Sequence, residues 1–274
     1  MNQTPLPTFY LCHGGGPWPW MKEQMGNMWS PLENSLMDVP RQMDGAVKAI
    51  LVVSAHWEAS QFTISSSAKP SMLYDYYGFP PHTYTVQYPA PGSPDLARRV
   101  QALLKQGGQV AALDDQRGLD HGTFCMLAPM YPKADVPVVQ LSLRADFDPQ
   151  GHIDVGRLLA PLREEGVLIL GSGSSYHNLS RFNAQAAVPS RLFDEWLNES
   201  LTQLPPDQRA QRIALWQNAP AAREAHPREE HLLPLMVALG AAHGEEGTRT
   251  YHQTNLLGGI HMSSFRFGDI PAAT

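Results

Sequence analysis

Two cysteines in 274 residues, Cys12 and Cys125, are too few for a disulfide framework and cannot supply a four-cysteine zinc site. Such usage fits a reducing cytoplasm. No stretch approaches the roughly 18 to 20 apolar residues of a membrane span. The opening segment MNQTPLPTFYLCHGGG also lacks the basic region and long apolar run of an export signal. The expectation is a soluble cytoplasmic protein with no membrane partner. Charge is sparse as well: charged residues make up 17%, the formal net charge is -6, and the 20 lysines and arginines are scattered. Phosphate backbones require clustered cations, which excludes nucleic acid as a partner and favours small or uncharged ligands. Repeats, low-complexity tracts and linker-like shifts of composition are missing too.

What is present is a globular composition, 43% hydrophobic, in a length that suits a single α/β domain over residues 1–274, as a monomer or a small homo-oligomer. Apolar runs predict strands at Thr8 to Cys12, Ala49 to Ser54, Gln109 to Leu113, Val136 to Leu143 and Val167 to Leu170. Helical patterning falls between them, at Pro94 to Gln106, Ile153 to Glu165 and Arg191 to Leu204. The polar, Pro/Ala-rich stretch from Gln203 to Glu230 reads as a surface excursion. Several strands lack polar alternation, as strands do when helices cover both faces of a sheet. The expected fold is therefore a mostly parallel central sheet flanked by helices.

Histidines follow three of these strands. Thr8–Cys12 runs into His13 and a triple glycine, the AILVV run into His56 in SAHWE, and Val167–Leu170 into GSGSSYHNL with His177. In an open parallel sheet those strand ends share one edge, where ligands bind in a crevice. A lone histidine at a strand end is more often structural than functional. Two rigidly held ones are the minimum of a facial metal site, and neutral imidazole is the commonest biological metal ligand.

Other segments leave alternatives open. In GLDHGTF, Asp120 either orients the ring of His121 or caps a helix N-terminus. GSGSSYHNL has neither the third glycine of a dinucleotide fingerprint nor the G-x-S-x-G elbow. In AHPREEHLLPLMVALGAA, Glu229 reads as an acid at a helix start, whereas His231 stands where polar turn meets buried helix. Tyr74, Tyr76 and Tyr77 form an aromatic loop that either walls a pocket or simply packs. His82, His152, His243 and His252 read as structural or surface residues, and His261 as one that a late strand could bring near the crevice.

Together these motifs resemble the class III extradiol ring-cleaving dioxygenases, in particular the DOPA 4,5-dioxygenase-type (LigB-like) branch, from about residue 8 to about residue 266. Five motifs in order carry the resemblance: HGGG at His13, SAHWE at His56, LDHG at His121, GSGSSYHNL at His177 and HPREEHLLPLMVALGA at His231. It implies a non-haem metal, Fe(II) for catalysis with Zn(II) as a possible bound ion, held at the C-terminal ends of the strands by His13, His56 and His231. His177 and His121 would line the substrate side as acid/base groups, with His177 a possible fourth ligand. The broader class uses a glutamate as third ligand, which Glu230 offers here; the DOPA-type pattern selects His231.

The implied reaction opens the ring of a small aromatic diol with O2 to give a semialdehyde. Three ligands on one face leave adjacent positions free for both reactants. Two other readings remain open. A three-histidine zinc site also activates water for hydrolysis, and Memo-like proteins of this fold class use the site for partner binding.

Overall fold

A computed structural model of the protein describes residues 4–43 and 47–270. Its strands are β1 (Thr8–Cys12), β2 (Ala49–Ala59), β3 (Phe62–Ser65), β4 (Ala111–Asp114), β5 (Val138–Arg144), β6 (Val167–Gly173), β7 (Gly247–Leu256) and β8 (Ile260–Phe267). They form one eight-stranded sheet in the order β4-β3-β5-β2-β6-β1-β8-β7. The centre is parallel: β2 pairs with β5 and β6, and β6 with β1. The antiparallel pairs lie toward the margins, β8 against β1 and β7, and β3 against β5.

The apolar runs become strands because both faces of the central sheet are covered. Ile50, Leu51, Val52 and Val53 of β2 are all buried. On β6, alternate residues point to opposite faces. Gly171 and Gly173 lie under the backbone of Pro234 and His231, leading into the helix Leu233–Ala241. Ser172 faces the other way and donates its hydroxyl to the carbonyl of Gly122 at 2.6 Å, in the helix His121–Met130. A Cβ on Gly173 would run into the carbonyl of His231, so glycine is required there for close approach. That packing explains a glycine pair that matched neither a nucleotide fingerprint nor a hydrolase elbow.

Several boundaries move. The helix expected from Ile153 to Glu165 starts earlier, at Pro149, because Asp148 caps it by accepting from Gln150 N and Gly151 N at 3.2 and 3.1 Å. It stops at Leu159, before Pro161 opens a separate turn. The helix expected from Arg191 runs from Ala187 to Thr202. Residues 203–230 are less superficial than their composition suggests, since Ile213, Trp216, Ala222, Ala225 and His226 are buried. Strand β2 continues five residues beyond Ser54, and its register with β5 shifts between Val53 and Glu58. His56 therefore sits within an irregular strand extension, past the last rung shared with β6 at Ser54–Ser172.

Candidate metal and substrate site

Adjacent parallel strands β2, β6 and β1 end on one edge, and there the first histidines meet. His13, the residue after β1, is fixed by its amide donating to Gly173 O at 3.1 Å and its carbonyl accepting from Trp18 Nε1 at 2.8 Å. His56 comes from the irregular part of β2. His231 comes from the turn before Leu233–Ala241, and its carbonyl accepts from the Tyr10 hydroxyl at 2.8 Å and from Ser174 N at 3.1 Å. The Nε2 atoms of His13 and His56 lie 3.3 Å apart, as do those of His56 and His231.

Carboxylates orient two of these rings. Glu230 Oε1 lies 3.0 Å from His231 Nδ1, and Asp75 Oδ2 lies 3.4 Å from His56 Nδ1. An ionised carboxylate only accepts, so each Nδ1 facing one carries its ring's proton and Nε2 presents a lone pair. Burial followed by repulsion from neighbouring imidazoles pushes His13 and His231 far below the usual histidine range, and burial with His121 nearby pushes His56 to about 3. All three rings are neutral at physiological pH, the form that ligates.

The lone pairs of His56 and His231, converging at 3.3 Å, repel one another unless a cation lies between them. With metal–nitrogen bonds of about 2.0–2.1 Å, neighbouring ligands stand about 3.4 Å apart in a tetrahedral site and about 3.0 Å in an octahedral one. The observed spacing falls in that interval, so the donor set fits a first-row divalent ion. Glu230 stands behind His231 as its hydrogen-bond partner.

The same two carboxylates reach the other expected site histidines. Asp75 Oδ1 accepts from the backbone N–H and Nδ1 of His121 at 2.9 and 2.8 Å. Glu230 Oε1 lies 3.2 Å from His177 Nδ1. His177 stacks on His231 with ring centroids 3.3 Å apart, and His121 lies 4.0 Å from His56 by the same measure. Burial alone would raise both carboxyls, but the hydrogen bond from His121 to Asp75 and that from His177 to Glu230 outweigh it and hold both below their usual range. The five histidines open onto one cavity of about 930 Å³, also lined by Tyr76, Tyr77, Phe79 and Trp29.

Some expectations resolve differently. Asp120 is the helix cap, accepting from Thr123 N at 3.0 Å, and it is Asp75 that orients the His121 ring. Asp75 escaped notice because it lies inside a tyrosine cluster, flanked by residues that suggest packing. Its only signal was an acid embedded in an otherwise aromatic loop. Glu229 does not begin a helix; it pairs with Arg223 at 2.7 Å. His261 lies away from the crevice and stands with His252, which meets the buried Asp194 at 3.2 Å. Of the tyrosine loop, Tyr76 and Tyr77 line the cavity, whereas Tyr74 donates its hydroxyl to Val86 O at 2.7 Å.

A family model described as the catalytic LigB subunit of aromatic ring-opening dioxygenase matches residues 7–265. Among similar proteins, the 4,5-DOPA dioxygenase extradiol of Portulaca grandiflora is 40% identical over 229 residues, covering 81% of this chain and 83% of its own. The Escherichia coli protein of the same name is 34% identical over 275 residues, covering 98% and 97%. A dioxygenase of Hapsidospora irregularis is 36% identical, covering 96% of this chain and 85% of its own. The crystal structure of an uncharacterized Escherichia coli K12 protein superposes with a TM-score of 0.75 at 32% identity, covering 96% of this chain and all of the other.

Proposed function

The chain belongs to the LigB family of aromatic ring-opening dioxygenases, and from that premise we propose that it opens the ring of a catechol with O2 at a metal held by His13, His56 and His231. Iron(II) is the ion we assign for turnover. Bound there, it would supply neighbouring free positions for the two catechol oxygens and O2, and a path for electrons between them. Both atoms of O2 enter the product, one in a carboxylate and one in an aldehyde, and no external reductant is consumed.

The chain's own residues manage protons and position. Glu230 fixes the Nδ1–H of His177, leaving Nε2 free to take the second hydroxyl proton of the catechol. Asp75 does the same for His121, and a proton arriving at His121 Nε2 turns that atom into a donor toward a reacting oxygen. Each carboxylate stabilises the imidazolium that results. Tyr76 and Phe79 wall the cavity beside these rings.

The observation that carries this reading is the meeting of His56 Nε2 with the Nε2 atoms of His13 and His231, each at 3.3 Å, on the floor of an aromatic-walled cavity. The test is anaerobic reconstitution with Fe(II), followed by air and a panel of catechols including DOPA and protocatechuate. A yellow semialdehyde with stoichiometric oxygen uptake is expected. Absence of both across the panel, with activity on an ester or amide under Zn(II) without oxygen, would replace ring opening by hydrolysis.

A further inference from the structure

The cavity over the histidines is larger than a catechol needs and apolar away from them. Its volume of about 930 Å³ sits at the upper end of the ~300–1,000 Å³ that encloses drug-sized ligands. Beyond the histidines the walls are Met28, Trp29, Phe182 and Met262, and the mouth carries Tyr77, Leu179 and Leu257. Those last three are among the few large apolar side chains exposed on this protein, at 92%, 70% and 39%. Clustered exposed apolar residues around a binding cavity mark a contact surface for a ligand.

The polar groups point the same way. Among the described lining residues Arg228 is the one lysine or arginine, and it is already committed. Its guanidinium is paired to the Glu58 carboxylate through both terminal nitrogens and lies over the Phe147 ring at 4.5 Å. Three lining carboxylates, Glu58, Asp75 and Glu230, outnumber that single guanidinium. A carboxylate on the substrate would find no uncommitted lysine or arginine among the described lining residues and would face three like charges.

We propose that the substrate is a catechol bearing a neutral, extended apolar substituent, which lies against Met28, Phe182 and Met262 and leaves the cavity past Leu179 and Leu257. This deepens the ring-opening reading and rests on it for the catechol end. It sets the chain apart from relatives named for DOPA, whose catechol bears a zwitterionic amino-acid group in place of an apolar chain.

The experiment measures binding separately from turnover. 4-Alkylresorcinols, whose non-adjacent hydroxyls prevent extradiol cleavage, are titrated into the full chain as purified and after chelation, by calorimetry and by quenching of tryptophan fluorescence. From methyl to hexyl, Kd is expected to fall by roughly fourfold per methylene before levelling off. Leu179→Ser combined with Leu257→Ser should flatten most of that slope, whereas Leu215→Ser, an exposed site off the cavity, should retain it. In turnover, 4-hexylcatechol should exceed DOPA in kcat/KM by at least tenfold. A flat Kd series, no binding of any member, or preference for DOPA would overturn the proposal. A steep binding series with no catechol opened would preserve the apolar subsite and refute ring opening.

Discussion

The Asp75 carboxylate grips His121 twice through one oxygen, at 2.9 Å from the backbone N–H and 2.8 Å from Nδ1, while its other oxygen stands 3.4 Å from His56. Glu230 does the corresponding work across the cavity, with Oε1 at 3.0 Å from His231 and 3.2 Å from His177. Each carboxylate thus links one candidate metal ligand to one candidate proton-handling ring. The tautomers of four imidazoles are set by two acids, and neither acid need touch metal or substrate.

Asp75→Asn keeps the shape of that link but lets the amide donate as well as accept, so the His121 and His56 tautomers are no longer enforced. Loss of an outer partner of a metal site typically costs about 10–100-fold in affinity or activity. We expect kcat to fall in that range with near-wild-type KM and circular dichroism. Unchanged kcat would remove Asp75 from the account.

His177→Ala and His121→Ala remove the proposed proton-handling rings and leave His13, His56 and His231 in place. A drop in kcat of roughly 10²–10⁴-fold with metal content retained is expected. Equal loss of bound metal in either variant would make that histidine a ligand, His177 being the one named for a fourth position.

Gly173→Ala tests how the third histidine is positioned. The new Cβ would meet the His231 carbonyl, displacing the turn that delivers the ring. Overpacking of this kind costs about 1–3 kcal/mol. The expected result is weaker metal binding with a modest fall in Tm; a variant that binds metal as tightly as wild type would show that the contact yields without moving His231.

Acid should unfold the metal-free protein through its buried neutral histidines, two of which lie outside the set proposed for metal and proton transfer. Burial pushes His226 to about 3 and His152 to about 4, against 6.5 for a free imidazole. His152 donates Nδ1–H to Asp148 O at 2.7 Å and accepts at Nε2 from Arg144 N at 3.2 Å, an arrangement a second ring proton destroys. Below about pH 6.5 the unfolded chain gains protons that the folded chain refuses. Stability is therefore complete above that pH and lost as pH falls toward 4 and 3, by on the order of a few kcal/mol. Urea titrations of chelated protein between pH 7.5 and 4 measure it, and His152→Gln should shallow the slope. A pH-independent midpoint would contradict the assignment.

Much of this site was legible in the sequence because strands deliver their C-terminal residues to a shared edge. His13, His56 and His177 follow apolar runs whose parallel pairing needed only the absence of polar alternation. Asp75 was not legible, since an acid in an aromatic loop acquires meaning only when the loop folds over the helix start at His121. The β7–β8 hairpin was also obscure: its strands alternate polar and apolar residues at a margin of the sheet, and no continuous apolar run betrays them. His261 shows the reverse error, a histidine beside glycines on a late strand whose ring faces Asp194 and His252 instead of the cavity.

The most direct test is the metal content of purified, Fe(II)-reconstituted protein and of His13→Ala, His56→Ala and His231→Ala, with His243→Ala as a surface control. The account requires one equivalent of iron in the parent and control and its loss in each of the three variants. Full iron occupancy in any of the three would mean that the imidazoles of residues 13, 56 and 231 do not together hold the ion.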